Sequence, residues 1–163
     1  MRKNRDESFS KKIYECNKHI EKLNDAKEYL QNIMPISLET YIYIDKIQSS
    51  FIDQLNFKFS KLQDTISESI LKGLLIRSKE NVEKMTFLDI LNRLEKLEIL
   101  EKERWLELRE VRNEIAHEDS FNQDEVVENI NLIYEKTDDL ISIYNDVYKF
   151  IREIDEKEKL CVQ

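Results

Sequence analysis

Few residues in this sequence could start chemistry, since among 163 only two are histidine, two cysteine, one glycine and one proline. His19 follows Cys16 by three positions and Glu15 by four, which places three potential metal ligands near one helix face. Isolated ligands on one helix make a weak site, so a solvated surface histidine is expected there. Glu114 and His117 form a Glu-x-x-His element of the kind used by di-iron helical bundles. Such a site needs a second element, which the chain lacks. Both residues also fall opposite Leu108, Val111 and Ile115 on a helical wheel, whereas bundle ligands project inward. No metal or other cofactor is expected.

Arg112 carries more weight. At about 100° per residue it falls within the apolar arc of its helix, beside Trp105, Leu108 and Ala116. An unpaired charge in such a place costs several kcal/mol. A salt bridge to a carboxylate on another helix is the plain structural explanation. Asn113 stands next to it. His117 lies five residues on, about 140° round the helix, so the two converge only if the helix ends near Ala116 or if two chains share a site. Asp119 and Ser120 supply such a stop. An arginine and a histidine meeting at a helix end suit phosphodiester chemistry, because histidine moves protons and arginine holds charge on phosphorus.

Composition narrows the alternatives. Sheets and hairpins need glycine, Asn-Gly or proline at most corners, and phosphate-binding loops need several glycines. A single Gly73 excludes the loops, so any phosphate must be held by side chains. The net charge of −8 and pI near 5.0 oppose non-specific coating of nucleic acid or membrane. They leave room for a local basic strip, formed by Lys102, Arg104, Arg109 and Arg112 and interleaved with Glu101, Glu103, Glu107 and Glu110. Cys16 and Cys161 are expected to be free thiols of a cytoplasmic protein. No signal peptide is expected from the charged N-terminus, and no membrane span from apolar runs as short as Tyr41 to Ile44.

Helices must therefore position any site, and apolar residues recur at helical spacing almost throughout. Ile13, Cys16, Ile20, Leu23, Ala26 and Leu30 predict a first helix over roughly 8–32. Pro35 fits the opening turn of the next helix, one long helix over roughly 38–72 with a stripe of Leu55, Phe59, Leu62, Ile66 and Ile70. Gly73 suits a left-handed C-terminal cap. Residues 74–85 are expected to be a connector, with Leu74, Leu75 and Ile76 on the core and Arg77 to Lys84 in water. Thr86 and Asp89 cap a third helix through Phe87, Ile90, Leu91, Leu94 and Leu97. A fourth spans about 102–116. Ser120 and Gln123 form a capping box for the last, which carries Val127, Ile130, Tyr134, Thr137, Ile141, Tyr144, Tyr148 and Ile151. The expectation is an all-α, five-helix up-and-down bundle with two long antiparallel helices of roughly 50 Å each. It forms one domain over 1–163, with its core at about 10–155.

Within that frame, the stretch from Leu108 to His117 (LREVRNEIAH) resembles the Arg-Asn-x-x-x-His signature of HEPN domains. It is most similar to HepT-like toxins encoded beside minimal nucleotidyltransferases. The helix order and the second-helix stretch Phe59 to Ile66 resemble the family as well, over about residues 10–150. The resemblance implies a homodimer with two Arg–His pairs facing across a cleft, acting as a metal-independent endoribonuclease toxin on RNA. Arg112 would stabilise the phosphorane, His117 would serve as general base or acid, and Asn113 would orient the site or bond phosphate. Arg109 is a supporting candidate, and Asp64 is the carboxylate the resemblance suggests for Arg112. The product would be a 2′,3′-cyclic phosphate. The family pattern continues His-x-Tyr, with that tyrosine modified by the partner nucleotidyltransferase. Here the position is Asp119, which leaves partner binding as the route of neutralisation. The alternative is a non-catalytic HEPN subunit that partners a minimal nucleotidyltransferase.

Overall fold

The computed structural model describes residues 2–115 and 121–162, and every regular element among them is helical. α1 spans Arg2–Leu30, beginning well before the predicted start. Its early turns are held by Phe9, which packs on the core. The connection through Pro35 leads to a one-turn helix, α2, Leu38–Tyr41. Pro35 therefore precedes the N-cap, Ser37, instead of opening a long helix.

The predicted helix over 38–72 is interrupted at residues 42–45. Two start signals compete there. Ser37 and Thr40 close one capping box, and Asp45 and Gln48 close another a short way downstream. In the second, Gln48 N–H donates to Asp45 Oδ1 at 2.7 Å, and Asp45 N–H donates to Gln48 Oε1 at 3.0 Å. Each box satisfies N-terminal donors that an unbroken helix would not leave free. α3 then runs Lys46–Thr65, passes through a π-helical turn at Ile66–Ile70, and continues as α4, Leu71–Arg77. The wide turn is fixed by Leu71 N–H donating to the carbonyl of Ile66. Together these form one rod of about 48 Å. The predicted stripe is buried along it, with Leu55, Phe59, Leu62, Ile66 and Ile70 all excluded from water.

Gly73 does not cap this rod. It lies inside α4 with ordinary helical backbone, because the chain needs a bare surface there. A Cβ on Gly73 would sit 2.1 Å from the Phe9 ring of α1. The left-handed cap falls instead at Lys79, φ 62°. Lys79 N–H donates to Ile76 O and Glu80 N–H to Leu75 O, closing a Schellman motif. Leu74 and Leu75 are buried as expected, but in the helix, while Ile76 is exposed. Arg77 is held by Asp155 and Asp6.

α5, Phe87–Lys96, has the predicted Thr86–Asp89 capping box and ends on a second left-handed residue, Glu98. α6 spans Lys102–Ile115, with Trp105, Leu108 and Val111 buried and Ile115 half-buried. α7 spans Gln123–Cys161, 39 residues, with Asn122 as its N-cap. Ser120, the predicted cap, lies outside the described residues. Ile133, Leu140, Ile143 and Val147 replace Tyr134, Ile141 and Tyr148 at the centre of its buried face. That shift turns the tyrosine edges outward, where Tyr134 meets the Lys27 ammonium at 4.1 Å.

Counting the rod as one helix, six helices are present among the described residues, where the periodicity predicts five. Their directions follow from side-chain contacts. Tyr29 stacks on Phe51 at one end of α1 and Phe9 meets Gly73 at the other, so α1 opposes the rod. Lys27 reaches Asp138 and Tyr144 reaches Asn17, so α1 also opposes α7. The rod and α7 therefore run parallel, a correction to the predicted antiparallel pair. α6 lies between them in sequence and opposes both, which restores the chain direction. Among the described residues no helix is long and apolar enough to cross a membrane.

Candidate functional site

Arg112 sits on the face of α6 that meets the rod. Its Nε donates to Asp64 Oδ1 at 3.1 Å and one Nη to Asp64 Oδ2 at 3.2 Å, a two-pronged pair. The hydrogen bond to Asp64 holds the guanidinium pKa above its usual value. Asp64 is the carboxylate suggested for it. The pair is not buried: the two side chains are 34% and 36% exposed. Asp64 lies on the flank of α3 rather than at its core stripe, so Arg112 leaves the apolar arc toward the surface to reach it.

The pair lines a groove of about 320 Å³ between α6 and the rod. Arg109, one turn before Arg112, lines it too, with its guanidinium 4.9 Å above the ring of Phe87. Asn113 lines the same groove from an exposed position. Four of the predicted residues, Asp64, Arg109, Arg112 and Asn113, are thus brought together. His117 and Asp119, with the stop expected there, lie outside the described residues.

Sequence reasoning missed the floor of this groove. Gln63 is 2% exposed, and its Nε2 has no hydrogen-bond partner. Ser67 Oγ is likewise enclosed and unpartnered. Both line the groove, as does Glu68. Buried polar atoms are nearly always satisfied, and a pair of unsatisfied ones marks a place where water or a ligand completes the bonding. Ser67 and Glu68 belong to the π-helical turn. Such a turn inserts one residue and so rotates the downstream helix by about 100°. No residue pattern announced that turn, whereas Phe87 was legible as the first helical residue after the Thr86 cap.

The predicted basic strip divides. Arg104 turns to Asp139 of α7 and Lys102 to Asn92 of α5, leaving Arg109 and Arg112 in the groove. A scan of protein-family models finds no match to the chain, and searches of curated proteins and of solved structures find none either.

The other candidates fall elsewhere. Glu114 lines a separate cavity of about 360 Å³ with Asp53, Asn56 and Ile130. Among the described residues no group of three or more His, Cys, Asp or Glu could hold a metal ion. His19 is not the solvated histidine expected. It is half-buried, its Nδ1 lacks a partner, and burial followed by the Lys58 charge lowers its pKa. Cys16 is buried and free, and burial pushes its thiol up to about 12.

Proposed function

We propose that this chain is a HEPN-type, metal-independent endoribonuclease, the toxin half of a bacterial toxin–antitoxin pair, working as a homodimer. The observation that carries the proposal is the two-pronged Arg112–Asp64 pair set in a groove with Arg109 and Asn113. Asp64 takes two of the five N–H donors of the guanidinium fork. Held so, the fork is oriented in advance, and its outer edge meets the non-bridging oxygens of a phosphodiester. Preorganised donors of this kind stabilise charge that develops in the transition state.

The ribose 2′-hydroxyl loses its proton to His117 and attacks phosphorus. Arg112 holds the negative charge of the pentavalent phosphorane. The 5′-oxygen leaves with a proton from the second histidine of the dimer, and the strand keeps a 2′,3′-cyclic phosphate. Asn113 and Arg109 hold the phosphate and its neighbour, and the Gln63 amide and Ser67 hydroxyl complete their bonding on the bound strand. With Asp119 at the tyrosine position, an antitoxin such as a minimal nucleotidyltransferase neutralises the toxin by binding over the groove.

RNA incubated with the purified protein in EDTA should be cut to products with cyclic phosphate ends, and Arg112→Ala and His117→Ala should each slow the cutting by about 10²-fold or more. Intact RNA, or cutting that both variants retain, would remove the catalytic assignment. Light scattering that gives the mass of one chain across micromolar concentrations would remove the shared site.

One observation favours the alternative of a non-catalytic subunit of a nucleotidyltransferase. Asp64 and Glu68 place two carboxylates in the groove of a chain whose net charge is already −8, which weakens the pull on a polyanion. In that case co-expression with a nucleotidyltransferase gives a stable complex and RNA stays intact.

A further inference from the structure

Phe57 stands on the outer ridge of α3, 57% exposed. The ammonium groups of Lys58 and Lys61 each lie 5.5 Å from its ring centroid. Phe57 and Asp64 are seven residues apart, two helical turns, so they fall within about 20° of each other. The ring is therefore on the groove's own ridge, about 10 Å along the axis from Asp64. That distance is about three nucleotides at a stacked rise of about 3.4 Å each. On the far side of the groove, Arg109 lies over Phe87, so a cation–aromatic pair stands on either side of Arg112.

The surroundings of Phe57 decide what it could bind. Its ridge neighbours one turn away are Asp53, Gln54, Ser60 and Lys61. A protein partner or a second copy of the chain needs a contiguous apolar patch, and a lone ring among polar side chains is not one. A nucleobase needs only one π-face with cations at its edge for the flanking phosphates. The lysines are also felt on the neighbouring helix. After burial, the charges of Lys58 and Lys61 are among the causes that lower the His19 pKa.

We infer that Phe57, Lys58 and Lys61 form a second subsite for single-stranded RNA. Phe57 stacks a base about three nucleotides from the phosphate at Arg112, and the two lysines hold the phosphates beside it. The inference rests on the ribonuclease proposal for where the strand leads.

A fluorescent 2′-O-methyl oligouridylate of about ten nucleotides tests it by anisotropy, because the strand cannot be cleaved. Phe57→Ala should weaken binding about tenfold, while Phe57→Trp should preserve it. Lys58→Ala with Lys61→Ala should lower the slope of log affinity against log salt by about 1.4, two single-strand phosphate contacts. Equal affinity of Phe57→Ala and the unchanged protein, or no binding by either, would overturn the subsite. So would a change in sedimentation mass on Phe57→Ala, which would make the ring a contact between copies. Phe57-dependent binding without cleavage of ordinary RNA would remove the reaction and keep the subsite. Cleavage with Phe57-independent binding would do the reverse.

Discussion

α6 carries two arginine–aspartate pairs eight residues apart, and they behave differently. Arg104 donates from Nε to Asp139 Oδ1 at 2.7 Å and also from an Nη to that same oxygen, fastening α6 to α7. Arg112 uses both oxygens of Asp64 and fastens α6 to the rod. Their exposures are nearly equal, 33% and 27% for the first pair, 34% and 36% for the second. Burial therefore does not set them apart. What differs is the neighbourhood: Arg112 opens on a groove with a second arginine, an asparagine and two enclosed polar atoms that lack partners. The Arg104 pair only joins two helices, whereas the Arg112 pair stands beside room and unmet hydrogen bonds, which makes it the candidate site.

The sharpest way to break that contrast is to truncate both arginines. Arg112→Ala should lower the cleavage rate by about 10²–10³, the usual loss for a transition-state donor. Arg104→Ala should leave the rate within about twofold and cost about 1 kcal/mol, a fall of roughly 2–4 °C in melting temperature. Rates that fall together would dissolve the distinction. The packed contact of α1 on α4 should instead respond to volume. Gly73→Ala pushes a methyl into the Phe9 ring and should destabilise by about 1–3 kcal/mol. Denaturant melts of the Phe9→Ala/Gly73→Ala double variant should show a smaller loss than the sum of the single ones.

A smaller gain is expected at the left-handed caps. Lys79→Gly and Glu98→Gly each relieve a strained backbone position and should raise stability by up to about 1 kcal/mol, with cleavage unchanged. The least effect concerns His19, half-buried on α1 and near Lys58 of α3. Its folded pKa lies below the ordinary histidine value of 6.5, so under acid the unfolded chain binds the proton more readily than the folded one. Stability should be full above about pH 6.5 and should decline as pH falls through that value toward the folded pKa. Melting temperatures at pH 7.5 and 5.5 should therefore differ less for His19→Gln than for the unchanged protein.

The sequence was legible wherever a local pattern had no rival. The stripes of α3 and α6 and the Thr86–Asp89 box lie where the residues placed them. The Asp45–Gln48 box was present to be read, as Asp-x-x-Gln, but an apolar run from Tyr41 to Ile44 masked it as continuous helix. Gly73 misled because its usual duty is a cap, and only the packing of α1 against α4 gives it another. Lys79 and Glu98, not a glycine, stand at the left-handed caps.

The near absence of glycine and proline, together with the helical apolar period, determined an all-α chain and required any phosphate to be held by side chains. Arg112 could be named from its place on one helix, Asn113 as its neighbour in the motif, and Arg109 as part of the basic strip. Asp64 was suggested for Arg112 by resemblance and not by any spacing, and the tertiary structure alone decided that the rod and α7 run parallel and that a π-helical turn brings Ser67 to the groove. Those depend on which helices pack together and in what rotation, a balance of many small contacts across distant segments that no local spacing records.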